Sequence, residues 1–418
     1  MFKKIKQRLY IHLPALQMRN FRLYFFGQGI SLVGTWLANV AEQWLIYPVL
    51  TSNRSLLGVI SAFNLLPTAA LVLFAGVVSD RVDRRRLVIL VQSLFALISL
   101  VLAVLVFTGQ IRVWHVMIAA IAGGILFAFD MPTRNSMVLD LVDKEHYPSA
   151  LSLNAGIFHA ARAIGPALAG FLIAIIGIAA AYFLNALSFL AVIISLLLIY
   201  LPFKKQHHHP SFINGLKEGF QYVKSYKVIA ALLLNIMLVS LWLWPANTLL
   251  PVFANDVYHT GELGFGLLQS FSGLGSVIAA FGFYSLYQRT KNKYHLLVIP
   301  TFLGGVIMIF FAFAPTFPLA LLFQFLGGII TGIVFSGVNT LMQVAVPSAI
   351  RGRIMSFFSL VVFGSMPIGA LIDSLIIGRL GPRLTVAVSS GFLILTAGVF
   401  YRLAGQKFQQ KISAITAA

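Results

Sequence analysis

The sequence predicts an all-α membrane protein: twelve transmembrane helices in two pseudo-symmetric six-helix halves. Three observations carry this. The chain is 59% apolar and only 10% charged, where soluble domains run near ~25% charged. Its apolar residues gather into stretches of about 20 residues, each long enough to cross ~30 Å of hydrocarbon as a helix that satisfies its own backbone. Finally, its charges alternate in sign bias from one connection to the next. Of the 30 Lys and Arg, four (Arg54, Arg112, Arg379, Arg383) fall in one set of connections, Arg162 falls inside an apolar stretch, and the other 25 share the opposite side. Short loops carrying Lys and Arg stay cytoplasmic. A net charge of +19 therefore marks a cytoplasmic membrane surface, not a nucleic-acid partner.

In chain order, residues 1–22 form a cytoplasmic arm whose basic start (Lys3, Lys4, Lys6, Arg8) precedes an apolar segment too long for a signal peptide. The predicted spans are 23–50, 57–79, 87–108, 114–134, 150–176, 179–201, 228–252, 263–287, 295–314, 318–345, 354–377 and 384–404. The first half is thus 23–201, the second 228–404, and 405–418 a cytoplasmic tail. The linker 202–227 contains His207–His209 and then an amphipathic stretch, Ser211–Lys224, with Phe212, Leu216, Phe220 and Val223 on one face. The histidines read as solvated linker, because no acidic or Cys partner is near, and no metal site is expected. There is no Cys, so disulfide and thiol chemistry are excluded.

The halves repeat. Pro166-Ala-Leu-Ala169 in span five matches Pro367-Ile-Gly-Ala370 in span eleven, and Gly177 matches Gly378 at the same spacing. Asn135 and Val142 match Asn339 and Val346, and Gly76 matches Gly282. Two halves of like topology place a pseudo-two-fold axis along the membrane normal, the layout of transporters that bind substrate between the halves.

Two motifs sharpen the reading. The loop after span two is Gly76-Val-Val-Ser-Asp80-Arg81-Val-Asp83-Arg84-Arg85-Arg86, which resembles the signature loop of the major facilitator superfamily, with Asp83 where that family usually has Gly. The resemblance implies that Gly76 permits close helix approach and that Asp80 caps a helix N-terminus of the other half, held there by Arg81, Arg84 and Arg85. Leu286 replaces Asp80 in the second-half counterpart. Span five carries Arg162-Ala-Ile-Gly165-Pro166-Ala-Leu-Ala169-Gly170, which resembles the superfamily's antiporter motif with one Gly replaced by Ala169. Further segments, among them Asn20-Phe-Arg-Leu-Tyr, Phe129-Asp130-Met-Pro132-Thr-Arg134 and Arg351-Gly-Arg353, are together similar to the transmembrane secretion effector group. That group includes enterobactin exporters and macrolide efflux proteins, and the resemblance spans residues 17–400. It implies the major facilitator fold and proton-driven export of a small amphipathic molecule, siderophore or drug-like, from the inner membrane. Both termini would be cytoplasmic, a monomer is expected, and the proton gradient would be the energy source, with no cofactor. The alternatives are an importer or lysolipid flippase on the same fold, or a non-transporting receptor or scaffold.

Only Glu42, Asp130 and Asp373 place carboxylates inside spans, where an unpaired charge costs several kcal/mol. Asp130 is near the cytoplasmic face, four residues before Arg134, and is expected to latch to the Arg81–Arg85 loop. Glu42, beside Asn39 and Gln43, is a candidate for proton coupling or for a cationic substrate, or else an interfacial carboxylate. Asp373 is a second proton candidate, or a hydrated helix end. Arg162 lies ~20 Å into span five, with His159 one turn earlier; its partner would be a carboxylate, a carbonyl or an anionic substrate. In the superfamily spans one, four, seven and ten line the cavity, so its candidates here are Gln28, Asn39, Asn235, Trp242, Trp244, Asn247, Gln324 and Asn339. The two tryptophans could equally be interfacial anchors. No phosphate-cradling loop, HExxH pattern or nucleophile elbow is present, so neither an ATP-driven pump nor an enzyme is indicated.

Overall fold

In a computed structural model the backbone is described for residues 13–199, 212–290, 293 and 295–417; within these, the side chains of 77, 80, 212–217, 284, 348–349 and 403–417 are not described. Helices account for every crossing, and no strand occurs among the described residues. Nine helical stretches are long and apolar enough to cross a membrane. Two of them hold two crossings each, and the more polar first helix completes twelve.

α1 (Arg19–Trp44) ends in the wider turn Leu45–Leu50 at Pro48. α2 (Ser55–Arg81) starts where the Asn53 side chain accepts from the Ser55 amide at 3.1 Å. α3 (Arg84–Phe107) is capped by Asp83, which accepts from the Arg86 amide. α4 is Val113–Asp140. α5 and α6 share the run Tyr147–Leu198, divided at Gly177 (φ 79°). A surface helix (Phe212–Ser225) follows. α7 starts at Lys227–Trp242 and continues through the irregular turns of Trp244–Leu249 and Phe253–Val257, where Pro245 and Pro251 remove backbone donors. α8 is Gly261–Arg289, α9 His295–Ala312 and α10 Phe317–Ala345. α11 and α12 share Ser348–Ala417, divided at Gly381 (φ 74°). In both divided runs a left-handed residue turns the chain, a conformation that favours Gly.

Several expectations shift. The first span begins at Arg19, inside the expected N-terminal arm. The helix of α12 continues through the residues expected as the tail, to Ala417. The repeat partner of Gly177 is Gly381, since Gly378 remains within α11. His207–His209, the basic start and Ser211 lie outside the described residues.

Packing repeats between the halves. α1 packs on α5 and α6 as α7 packs on α11 and α12; α2 pairs with α4 as α8 pairs with α10; α3 touches α4 and α6 as α9 touches α10 and α12. Small residues set these distances. A Cβ on Gly34 would lie 2.0 Å from Ser188 Oγ, and one on Gly328 2.0 Å from the Ser272 carbonyl. Phe107, Phe281 and Leu375 point outward at 85%, 77% and 79% exposure, a surface that only lipid would cover.

The halves meet through α2 with α11 and α5 with α8, and the two ends of these four helices differ. At the end away from the basic loops, a Cβ on Gly58 would lie 2.2 Å from the Ala370 carbonyl, on Gly170 2.4 Å from the Glu262 carbonyl, and on Gly266 2.3 Å from the Pro166 carbonyl. At the basic end, Gly76, Gly156, Gly282 and Gly352, one on each helix, face nothing within 4 Å. Gly76 therefore mediates no close helix approach here, contrary to expectation.

Candidate functional site

The candidate site lies where the two halves meet, and at the far face hydrogen bonds and an ion pair cross between them. There the α1–α2 connection reaches the end of α7: Arg54 lies 2.6 Å from Asp256, which also accepts from the Tyr47 hydroxyl at 2.6 Å and from Asn255 at 2.8 Å. One turn deeper, Trp44 Nε1 donates to Glu262 Oε1 at 3.0 Å, and its ring stacks on Phe265. Arg54, Tyr47 and Trp44 belong to the first half, Asp256 and Glu262 to the second, so these bonds tie the halves together. Sequence reasoning missed this latch. Its one local signal is an Arg and an acid on a side almost free of charge.

Below the latch, the antiporter-like motif forms the α5–α8 contact. Gly170 meets α8, and the Ala167 amide donates to Ser270 Oγ at 2.7 Å; on the other side of α5, Gly165 receives Trp36 of α1, whose Cβ would lie 2.7 Å from a Cβ placed there. Arg162 follows on the same helix, and its carbonyl fills the space left by Gly273 on α8. Its guanidinium lies over the Trp244 ring on α7, 5.2 Å from the centroid. No carboxylate pairs with Arg162 among the described residues, so the carboxylate partner weighed from sequence is not brought to it. His159 Nδ1 is buried without a partner.

The other acids sort themselves. Asp130 does not latch to the basic loop. It pairs with Arg134 at 2.7 Å and accepts from Gln92 Nε2 of α3 at 2.9 Å, because position i+4 lies one turn along the same face. The loop is held separately: Arg84 pairs with Asp140 at 2.7 Å, while Arg85 donates to the Leu196 and Leu197 carbonyls at 2.6 and 3.0 Å, the negative end of α6. Arg81 is exposed, and the Asp80 side chain lies outside the described residues. Glu42 is half-buried and has no ion-pair partner among the described residues. Asp373 is 2% exposed, hence no hydrated helix end; one oxygen accepts from Ser389 at 2.5 Å and the other has no partner.

Of the cavity candidates, two fall elsewhere. Asn235 is fully buried within the second half, donating to Thr301 and Tyr401. Trp242 stacks on Phe392 of α12 at 5.0 Å. Both sit on the side of α7 that packs its own half, a choice that an all-apolar helix does not reveal. Trp244 does face the first half, with Phe335 5.8 Å from it and Phe358 6.1 Å from Phe335. Gln28 and Gln324 are buried with an unpartnered side-chain atom each. Asn39 is exposed, Asn247 donates to the Trp244 carbonyl, and Asn339 accepts from Gln343.

Comparison with known proteins agrees with this architecture. The transmembrane secretion effector family model matches residues 12–416. The chain is 25% identical to the staphyloferrin A transporter of Staphylococcus aureus, covering 90% of this chain and 95% of that one. It is 24% identical to macrolide efflux protein A of Streptococcus pyogenes, covering 90% and 95%. Among solved structures, an inward-facing, unoccupied bacterial homologue of the human lysosomal transporter Spinster superposes with a TM-score of 0.75 at 12% identity, covering 94% and 97%. A point mutant of the nucleoside transporter NupG gives 0.74 at 16%, covering 93% and 99%. This chain belongs to the transmembrane secretion effector family of the major facilitator superfamily, and is a multi-pass membrane transporter, not an enzyme.

Proposed function

We propose that the protein exports a small amphipathic molecule, siderophore or drug-like, in exchange for protons, by alternating access. The membrane is the inner one, with both termini and the basic loops cytoplasmic. The observation that carries this is the asymmetric closure. Glycines at the far ends of α2, α5 and α8 touch backbone of the opposite half, while those at the basic ends of all four interface helices touch nothing within 4 Å. The site is then reached from the cytoplasm, where an exporter loads. Export also fits the efflux activity named for the macrolide relative. Release requires the Arg54–Asp256 and Trp44–Glu262 bonds to break while the basic ends close. Glu42 and Asp373 are the candidate proton carriers, acids at membrane depth without a cation partner among the described residues.

The test is accumulation in inside-out vesicles under an imposed pH gradient, screening siderophores, cationic dyes and macrolides. Gradient-dependent accumulation that drops at least ~10-fold in Glu42→Gln or Asp373→Asn supports the reading. Substrate leaving such vesicles with the gradient would mark an importer instead.

A further inference from the structure

We infer that the transported molecule carries a carboxylate that pairs with Arg162, its apolar or aromatic body lying against Trp244 and Phe335. This rests on the transport reading above and names the substrate class.

A guanidinium at membrane depth is costly unless neutralised, and no described acid pairs with Arg162. Asp130 belongs to Arg134 and Gln92, Asp373 to Ser389, Glu262 to Trp44 and Asp256 to Arg54 and Tyr47. Glu42 makes no ion pair among the described residues. Nor does the Arg162 guanidinium have a hydrogen-bond acceptor among the described residues; it lies over the Trp244 ring. A ring offsets part of the desolvation cost but accepts none of the five N–H donors. Those donors form a planar fork that fits a carboxylate through two parallel bonds.

The position suits cargo better than structure. α5 is pinned at this residue, with the Arg162 carbonyl against Gly273 of the other half. The side chain reaches across to α7 of that half, and Phe335 of α10 adjoins the same tryptophan. A ligand held there would touch both halves below the far-face latch, on the side where the glycines are open. The charge and the aromatic surface together select an amphipathic acid over a cation, which Arg162 would repel.

Transport is measured in inside-out vesicles and binding on the purified full chain in nanodiscs of phosphatidylcholine alone, which removes anionic lipid headgroups as a competing source of the anion. The probes are a hydroxycarboxylate siderophore, an aromatic carboxylic acid, the methyl ester of each, a macrolide and a cationic dye. Free acids should bind and move best, with esterification costing on the order of 10–100-fold, the worth of a charge-assisted bidentate contact. Arg162→Gln should remove that preference by lowering acid binding to the level of the ester, and Arg162→Lys should keep part of it. The ester comparison on the unaltered chain needs no variant to fold. Acid and ester handled equally, or cations transported as well as the free acids by the unaltered chain, would overturn the inference while leaving export standing. Arg162-dependent acid binding without gradient-driven transport would uphold the inference and refute the export reading. No acid binding and no transport would overturn both.

Discussion

At the residue scale, the charges at membrane depth divide into those with a protein partner and those without an ion-pair partner among the described residues. Asp130 and Arg134 form a pair with each side chain only 11% exposed. Removing one partner of a buried pair typically costs about 3–5 kcal/mol, because it strands the other. Asp130→Asn should therefore lower the melting temperature sharply, and adding Arg134→Gln should recover much of the loss. Arg162→Gln strands nothing and should melt close to the unaltered chain. Part of this division was legible in the sequence. The three intramembrane acids and Arg162 stand out against their apolar surroundings, and the i,i+4 spacing of Asp130 and Arg134 is local. Their other partners were not legible: Gln92 is 38 residues from Asp130, and Arg54 is 202 from Asp256, distances that leave no local pattern.

At the element scale, hydropathy and the placement of Lys and Arg made all twelve spans readable, since length and charge are one-dimensional signals. Helix faces were less accessible. α7 is apolar nearly all round, so nothing in its sequence separates Asn235 and Trp242, which pack their own half, from Trp244, which faces the other. The repeat in Pro166 and Pro367 was visible, yet the turn glycine is Gly381, because the chain reverses where it leaves the membrane and not at a fixed count from the proline. The α5–α8 seam gives a sharp expectation. Gly170→Val and Gly266→Val place atoms about where backbone carbonyls now sit, and overpacking of this kind costs ~1–3 kcal/mol. Both should lose transport and stability, whereas Gly156→Ala and Gly352→Ala, which face open space in this state, should retain stability. Thermal melting and vesicle transport on the four variants check this.

At the scale of the whole molecule, two similar halves meet backbone to backbone at one end, while the interface-helix glycines at the other face open space, as the proposed alternating access requires of one of its states. The Arg54–Asp256 and Trp44–Glu262 bonds favour that state. Arg54→Ala should shift the population toward one opened at the far face and closed at the basic face. The chain has no native Cys, so spin labels at Gly76→Cys and Gly282→Cys report the basic-end separation directly. In Arg54→Ala their distance distribution should gain a shorter component. An unchanged distribution would make the latch a static contact.

Proton exchange for substrate is the central claim, and the direction of proton flow tests it most directly. Inside-out vesicles holding the full chain, acidified within and loaded with a luminal pH dye, would receive substrate from outside. Antiport predicts that the lumen becomes more alkaline as substrate enters, at a rate that Glu42→Gln or Asp373→Asn abolishes. A lumen that stays constant or acidifies while substrate enters would contradict it.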